Sequence, residues 1–335
     1  MSTMCTGIEP PSGSSRAALT GLLLVIAVFL AVRLPLVLRQ AGGQDEEYYA
    51  FPGLTIAQTG VPRLPHVPQR DERSCFYRAD EAFFAEPPLV FYAQSVGYAL
   101  LPDTYGTGRL PSLLSAVVAL GLVSGLGYRL AGDGRVGWWA AAMVSLSRVF
   151  FFPACTARPD MLCTALGLGV LATLSAWQCS RCGRRLVLAG VLLGLAGLTH
   201  PFALVFALQA AAWVMMAEGS WRQRVLRVGT LAATAIVTFV AWLPLILQYP
   251  ELFKRQFGNN ILAPAGPGLL ERLVWPWPAL AHHAVLLWEY AGPIQVTLMF
   301  GGLLAATVIA VRQPAGGLRP LVGLTWSAVL LTAVL

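Results

Sequence analysis

Charge is what this sequence has least of. Asp, Glu, Lys and Arg make up 12% of its 335 residues, about half the share of an average soluble domain. Hydrophobic residues make up 56%, and mean hydropathy is +0.65. So little polar surface cannot cover a water-soluble globule, and this much apolar mass excludes a disordered chain. Lysine is nearly absent: Lys254 stands alone beside 22 Arg. The net charge of +7 is scattered in small clusters between apolar runs, with no basic patch of the kind that binds nucleic acid. A disulfide framework is missing as well. Of the six cysteines, three lie in or beside apolar runs, where Cys behaves as a small hydrophobe. Cys179-Ser-Arg-Cys182 has the spacing of a metal knuckle, but no second pair or His partner follows it. There is no inverted internal repeat of the kind transporters carry, and low complexity is confined to the Pro/Ser/Gly tail before residue 17. The class that remains is an all-α integral membrane protein.

Crossing about 30 Å of hydrocarbon takes about 20 apolar residues. Runs of that kind cover 17–38, 109–130, 136–154, 160–178, 225–248, 295–311 and 320–335. The first reads as a retained signal anchor, because many spans follow it. The long stretch 186–217 is interrupted by Thr199-His200-Pro201, and 87–101 is apolar but only 15 residues long. Arginine placement decides both. The short segments 129–135, 181–185, 222–227 and 312–319 hold two, three, three and two Arg, which marks all four as cytoplasmic. That parity requires 186–217 to cross twice and 87–101 to lie in the outer interface without crossing. About nine spans result, with 1–16 as a cytoplasmic tail, 17–335 as one membrane domain, and 39–108 and 249–294 as outer segments. Segment 40–108 has nine acids against four Arg, unlike an inner loop. The chain stops within an apolar run at Leu335, as a truncated or short member of a larger class would.

The chemistry gathers on the outer side. Asp45-Glu46-Glu47 follow the first span directly. Carboxylates beside hydrocarbon are costly without a partner or a task, and burial raises their pKa toward the range of a general base. The alternative is a solvated acidic collar. Asp160, in Arg158-Pro159-Asp160, is a second acid on the same face, unless Arg158 merely neutralises it. Glu86-Pro87-Pro88 opens the interfacial helix, and Arg109-Leu110-Pro111 opens the next span. Arg109 reads either as a phosphate contact or as an interface anchor. Lys254 and Arg255, followed by Asn259-Asn260, offer a second phosphate contact or face lipid head groups. Trp275 and Trp277 read as an aromatic belt. Candidate ligands for a divalent metal are Glu46, Asp160, His282 and His283, and no other cofactor is implied.

The order of these motifs is similar to that of the bacterial GT-C glycosyltransferases, the superfamily of protein O-mannosyltransferase-like and lipid A aminoarabinose and galacturonic-acid transferases. It runs from a first span through Asp45-Glu46-x-x-Tyr49-Ala50, Glu86-Pro87-Pro88-Leu89, Arg109-Leu110-Pro111-Ser112 and Ala157-Arg158-Pro159-Asp160-Met161 to a broken Gly-rich hairpin. The likeness covers residues 17 to 260. It implies a GT-C type multispan helical bundle with loop helices on the outer face of the bacterial inner membrane. It also implies inverting transfer of a sugar from a polyprenyl-phosphate donor to a lipid, glycan or protein acceptor. By position, Asp45 resembles the catalytic acid, Glu46 its neighbour and Asp160 the acid of the second outer loop. Arg109, Lys254 and Arg255 are the expected donor-phosphate contacts, and Tyr49, Glu86 and His200 the expected pocket residues. The chain departs from the aminoarabinose transferases where Tyr48, Glu86 and His200 stand in place of Arg, Lys and Lys, which sets its expected donor apart. The rival class is a transporter or lipid flippase, which would place its charges and helix breaks near the midplane.

Overall fold

The computed structural model describes residues 12–43, 45–262 and 274–312, with the pieces 322–323 and 325–326. Every regular element among them is helical. In chain order they are α1 (Ser12–Arg39), α2 (Glu46–Thr59), α3 (Leu89–Leu100), α4 (Tyr105–Ala131), α5 (Gly134–Ser145), α6 (Arg148–Ala154) and α7 (Asp160–Ser180). Then follow α8 (Gly183–Gly197), α9 (Ala203–Met216), α10 (Trp221–Phe239), α11 (Leu243–Gln248), α12 (Pro250–Phe257), α13 (Trp277–Ala291) and α14 (Pro293–Arg312).

Helices α1, α4, α7 and α14, and the stretch Trp221–Gln248 that joins α10 to α11, are each long and apolar enough to cross a membrane. They coincide with five of the expected runs. The run 136–154 does not form one straight helix: α5 and α6 meet at a bend of 71°. Ser145 turns its hydroxyl back onto the Ala142 carbonyl (2.7 Å), and the Ser147 carbonyl accepts from both Phe150 and Phe151 N–H groups (3.2 and 2.8 Å). The Ser145 hydroxyl thus gives the backbone an alternative to the straight ladder, which hydropathy does not register. The stretch 186–217 breaks at 198–202 into α8 and α9, about 22 and 21 Å long. Helix α3 has 12 residues, about 18 Å, too short to cross upright. Among the described residues five helices therefore pass as spans, or six with the bent pair, against the nine expected. Most of 320–335, and residues 1–11 of the tail, lie outside the described residues.

The chain path separates two chemical ends. Helices α4 and α7 start at one end, close to the residues that follow α1, and α8 returns to it: the Leu89 N–H donates to the Leu198 carbonyl (2.8 Å). At the far end the Arg-rich segments meet. Arg181 reaches Glu218 (3.7 Å), Arg227 donates to the Glu218 carbonyl (2.7 Å), and both guanidiniums lie against the Trp177 ring, 5.1 and 5.6 Å from its centroid. Between the ends, Leu174, Trp177, Leu193, Trp213 and Leu231 form the main apolar core, with the Trp213 indole donating to Gln178 (2.9 Å).

Helix α8 can lie close to α10 because Gly190 and Gly194 share one face, a small-residue spacing suited to tight helix contact. A Cβ on Gly190 would meet the Leu231 carbonyl at 2.7 Å, and one on Gly194 the Ala235 carbonyl at 2.5 Å. A backbone carbonyl cannot swing aside. Gly194→Ala is therefore expected to lower stability by about 1–3 kcal/mol, read as a lower unfolding temperature in detergent. Gly229→Ala on α10, where nothing lies within 4 Å, should leave that temperature unchanged or raise it.

Candidate active site

The first fixed point is a buried ion pair. Glu46 opens α2 at 5% exposure, and Arg109 sits in the first turns of α4 at 1%. Arg109 Nε and Nη2 donate to the two Glu46 carboxylate oxygens at 2.7 and 2.6 Å. The remaining guanidinium hydrogens go to carbonyls at the end of α1: Nη1 to Val37 and Gln40 (3.1 and 2.8 Å), Nη2 to Ala41 (3.2 Å). Glu46 also accepts from the N–H groups of Ala157 (2.9 Å) and Gly43 (3.3 Å). Burial pushes the Glu46 carboxyl up, but Arg109 and these N–H groups pull harder and hold it below the ordinary carboxylate value.

Because Glu46 points inward, its neighbour Asp45 points outward, to the 155–160 segment. Arg158 stands between two acids there, with Nη1 3.7 Å from Asp45 Oδ2 and Nε donating to Asp160 Oδ2 at 2.9 Å. Its guanidinium lies 5.1 Å from the centroid of the Tyr49 ring. The Ser112 hydroxyl holds the Arg158 carbonyl (3.1 Å). Glu86 lies within electrostatic reach of Asp160 and Arg158. It is 7% exposed; Oε1 accepts from the Asn260 amide (3.3 Å), and Oε2 is buried without a partner. Burial raises the Glu86 carboxyl, the Asn260 amide pulls it back, Asp160 repels it and Arg158 offsets that, leaving it at about 7. Burial likewise lowers His200, against the attraction of Asp160. Its Nδ1 accepts from the Phe202 N–H (3.1 Å), which leaves Nε2 to carry the proton. Tyr49 is raised, by burial first and then by Glu86, and stays a neutral donor.

Two cavities open from this cluster. One, of about 830 Å³, is lined by Arg158, Asp160, Phe152, His283 and Tyr290 and runs between α6 and α13. The other, of about 570 Å³, is an apolar groove between α8, α9 and α10, with Pro87, His200 and Phe257 at its mouth.

The structure thus brings Asp45, Tyr49, Glu86, Asp160 and His200 together. It does not bring the three expected phosphate contacts with them. Arg109 is excluded as a phosphate ligand, because all its donors are spent inside the protein on Glu46 and on carbonyls. Arg255 pairs with Glu72 (3.1 Å), and Lys254 is exposed on α12. Glu46 is equally unavailable as a catalytic partner or metal ligand, its two oxygens being taken by four donors. No three His, Cys, Asp or Glu side chains among the described residues converge as a metal site; Asp160 is engaged by Arg158, and of the two histidines only His283 lines the cavity. Arg158 is the residue that sequence reasoning left out. Its signal was its place two residues before Asp160, which reads as plain neutralisation until Asp45 is seen on its other side. Asn260 was visible only as one of a pair of amides.

Residues 85–246 match the family model described as dolichyl-phosphate-mannose-protein mannosyltransferase. No curated protein matches the sequence at a significant level. Among solved structures, the chain is similar to ArnT from Cupriavidus metallidurans in the apo state, at 20% identity and a TM-score of 0.56, over 95% of this chain and 60% of that one. It is similar to the same protein bound to undecaprenyl phosphate, at 19% identity and a TM-score of 0.55, over 96% and 60%. The chain therefore spans about 60% of the length of that relative. The fold is the GT-C type helical bundle, and the resemblance drawn from the motif order is borne out.

Two predictions come from the buried carboxylates. Glu46→Gln leaves Arg109 charged, buried and unpaired, and should cost about 3–5 kcal/mol. Thermal unfolding in detergent should show less loss for a Glu46→Leu/Arg109→Met double variant than for either single one. Since Glu46 is held below its unfolded value, its contribution is present above about pH 4.5 and disappears as pH falls through the lower folded value. Glu86 has the opposite sign. Its folded form binds a proton more tightly than the unfolded form, so its burial costs nothing below about pH 4.5 and progressively more up to about pH 7. The full cost is on the order of 3 kcal/mol. Glu86→Gln should therefore be more stable than the parent at pH 8, with the gain vanishing toward pH 4.5 in unfolding curves taken across that range.

Proposed function

We propose that this chain is a membrane glycosyltransferase that moves a sugar from a polyprenyl-phosphate donor to an acceptor at the Asp45 end of the bundle. One observation carries the reading. Segments far apart in sequence deliver Asp45, Tyr49, Glu86, Arg158, Asp160 and His200 to one place, against a largely apolar cavity whose wall carries Arg158, Asp160 and His283, and the mouth of an apolar groove. A donor that joins a charged phosphate to a long hydrocarbon tail needs that pairing. The shared fold with ArnT, whose structure holds undecaprenyl phosphate, supports the same donor class. A transporter would carry its charges near the midplane, whereas here they gather at one end. By the distribution of Arg, the Asp45 end faces outward and the Arg-rich end faces the cytoplasm.

In this reading the tail lies in the groove between α8, α9 and α10, and the phosphate emerges past His200 at its mouth to meet Arg158, which lines the other cavity. Asp45, exposed on one side and held near Arg158 on the other, takes the proton from the acceptor hydroxyl or amine. The freed electron pair attacks the anomeric carbon from the face opposite the phosphate. The carbon–oxygen bond breaks, and polyprenyl phosphate leaves with those electrons, its charge held by the Arg158 guanidinium in a site where water is scarce. A single displacement inverts the anomeric configuration. His200 Nε2 and the Tyr49 hydroxyl are neutral donors suited to sugar or phosphate oxygens, and Asp160 fixes the Arg158 side chain.

The test begins with mass spectrometry of envelope lipids and glycans from cells with and without the gene, which identifies the missing sugar. Asp45→Asn should then fail to restore it, with a loss of about 10²–10⁴-fold in transfer rate. Glu47→Gln, whose carboxylate points to His66 (3.9 Å), should restore it. Arg158→Lys keeps the charge but loses two-point contact and should slow transfer about tenfold. Full restoration by Asp45→Asn would sink the assignment.

A further inference from the structure

A third cavity lies on the other side of the bundle and shares no residue with the two at the acidic end. It is a groove of about 590 Å³ between α4, α7 and α8, walled by side chains such as Val118, Leu122, Leu166, Leu188 and Leu192. Along α4 it runs from Leu114 to Arg129, a rise of about 22 Å, more than half of a hydrocarbon core of about 30 Å. Its apolar wall ends in two cations. Arg129 Nη1 donates to the Ala172 carbonyl (3.0 Å) and Arg185 Nη1 to the Ala176 carbonyl (2.5 Å), two carbonyls one turn apart on α7.

These two arginines have no carboxylate partner among the described residues. The acids at this end are committed elsewhere: Asp133 accepts from the Arg135 N–H to cap α5 (2.8 Å), and Glu218 pairs with Arg181 (3.7 Å). Each guanidinium has five N–H donors and spends one on a carbonyl. The two carbonyls that hold these exposed cations lie about 6 Å apart along α7, so two like charges sit side by side at the rim of an apolar groove and repel each other. A doubly contacted anion would relieve that repulsion, and a hydrocarbon chain attached to it would fill the groove.

We propose that this groove binds an anionic glycerophospholipid, with the phosphate held between Arg129 and Arg185 and an acyl chain lying along α4, α7 and α8. The charge favours a phosphodiester with net negative charge over a zwitterionic head group, as at other basic pockets between membrane helices. The site is separate from the donor groove, whose mouth holds His200 and Pro87 at the acidic end, and the inference stands whether or not the chain transfers sugar.

The experiment uses the full chain purified in mild detergent and titrated with phosphatidylglycerol, phosphatidylcholine, inorganic phosphate or undecaprenyl phosphate. It is read by native mass spectrometry and by the unfolding temperature. The parent should retain one phosphatidylglycerol more tightly than phosphatidylcholine and unfold at a higher temperature with it. An Arg129→Gln/Arg185→Gln variant should lose that preference, with retention falling about tenfold. Arg135→Gln/Arg222→Gln, at the same end but outside the groove lining, should keep it. Leu122→Trp, which fills the groove and leaves both arginines, should lose lipid while still binding inorganic phosphate. Equal retention of the two phospholipids by the parent would overturn the proposal. So would an unchanged preference in the Arg129→Gln/Arg185→Gln variant, or displacement of the bound lipid by equimolar undecaprenyl phosphate.

Discussion

The Glu46–Arg109 pair is the joint on which the acidic end of the molecule is assembled. Helix ends leave carbonyls without partners, and at the end of α1 these would face a low-dielectric interior. Arg109 supplies the missing donors to Val37, Gln40 and Ala41 from the start of a different helix, so that α1 and α4 are fixed by one side chain. Glu46 makes this tolerable by neutralising the charge, and through the Ala157 N–H it fastens the 155–159 segment to the same point. Four pieces of chain converge on two side chains buried together. A pair of this kind is weak evidence for net stability but strong evidence for geometry, since removing one member strands the other.

That geometry decides which acids are available for chemistry. Consecutive residues at the start of a helix point about 100° apart, so Asp45, Glu46 and Glu47 have three different surroundings. Glu46 goes into the joint, Glu47 toward His66, and Asp45 toward Arg158. The 155–159 segment, pinned at Ala157, then carries Arg158 between Asp45 and Asp160. The structural role of Glu46 and the chemical role proposed for Asp45 lie one residue apart, and neither Asp45 nor Arg158 would hold its place without the buried pair beneath it.

Much of the fold was legible in the sequence because lipid imposes length. The runs that became α1, α4, α7, α10–α11 and α14 were long enough to read directly, and Thr199-His200-Pro201 marked the turn between α8 and α9. The bend at Leu146-Ser147 was not legible, since both halves are apolar. Helix α13 lay hidden in what read as an outer loop. At the site, the acids could be found because charge beside a span is conspicuous. Their division of labour could not, because whether an arginine meets a phosphate or a neighbouring helix end depends on which way it points after folding. Arg109 turned into a buried structural pair for that reason, and Arg158 stands between two acids rather than beside one.

The acidic end carries three carboxylates, Asp45, Glu86 and Asp160, around one guanidinium; in the proposed reading such an arrangement would repel an arriving phosphate if all three were charged. Glu86 resolves this. Its carboxyl, sealed from water with one oxygen unpartnered and titrating near 7, is the group whose charge can be given up most cheaply. An anion placed beside Arg158 disfavours the charged form of Glu86 further, so phosphate binding and protonation of Glu86 support each other. Protonated, that carboxyl is a hydrogen donor, and it lies next to Pro87 at the mouth of the groove proposed for the donor tail. The stability lost by burying Glu86 and the chemistry proposed for the site therefore have one origin: a low-dielectric pocket that only the joint beneath it keeps in shape.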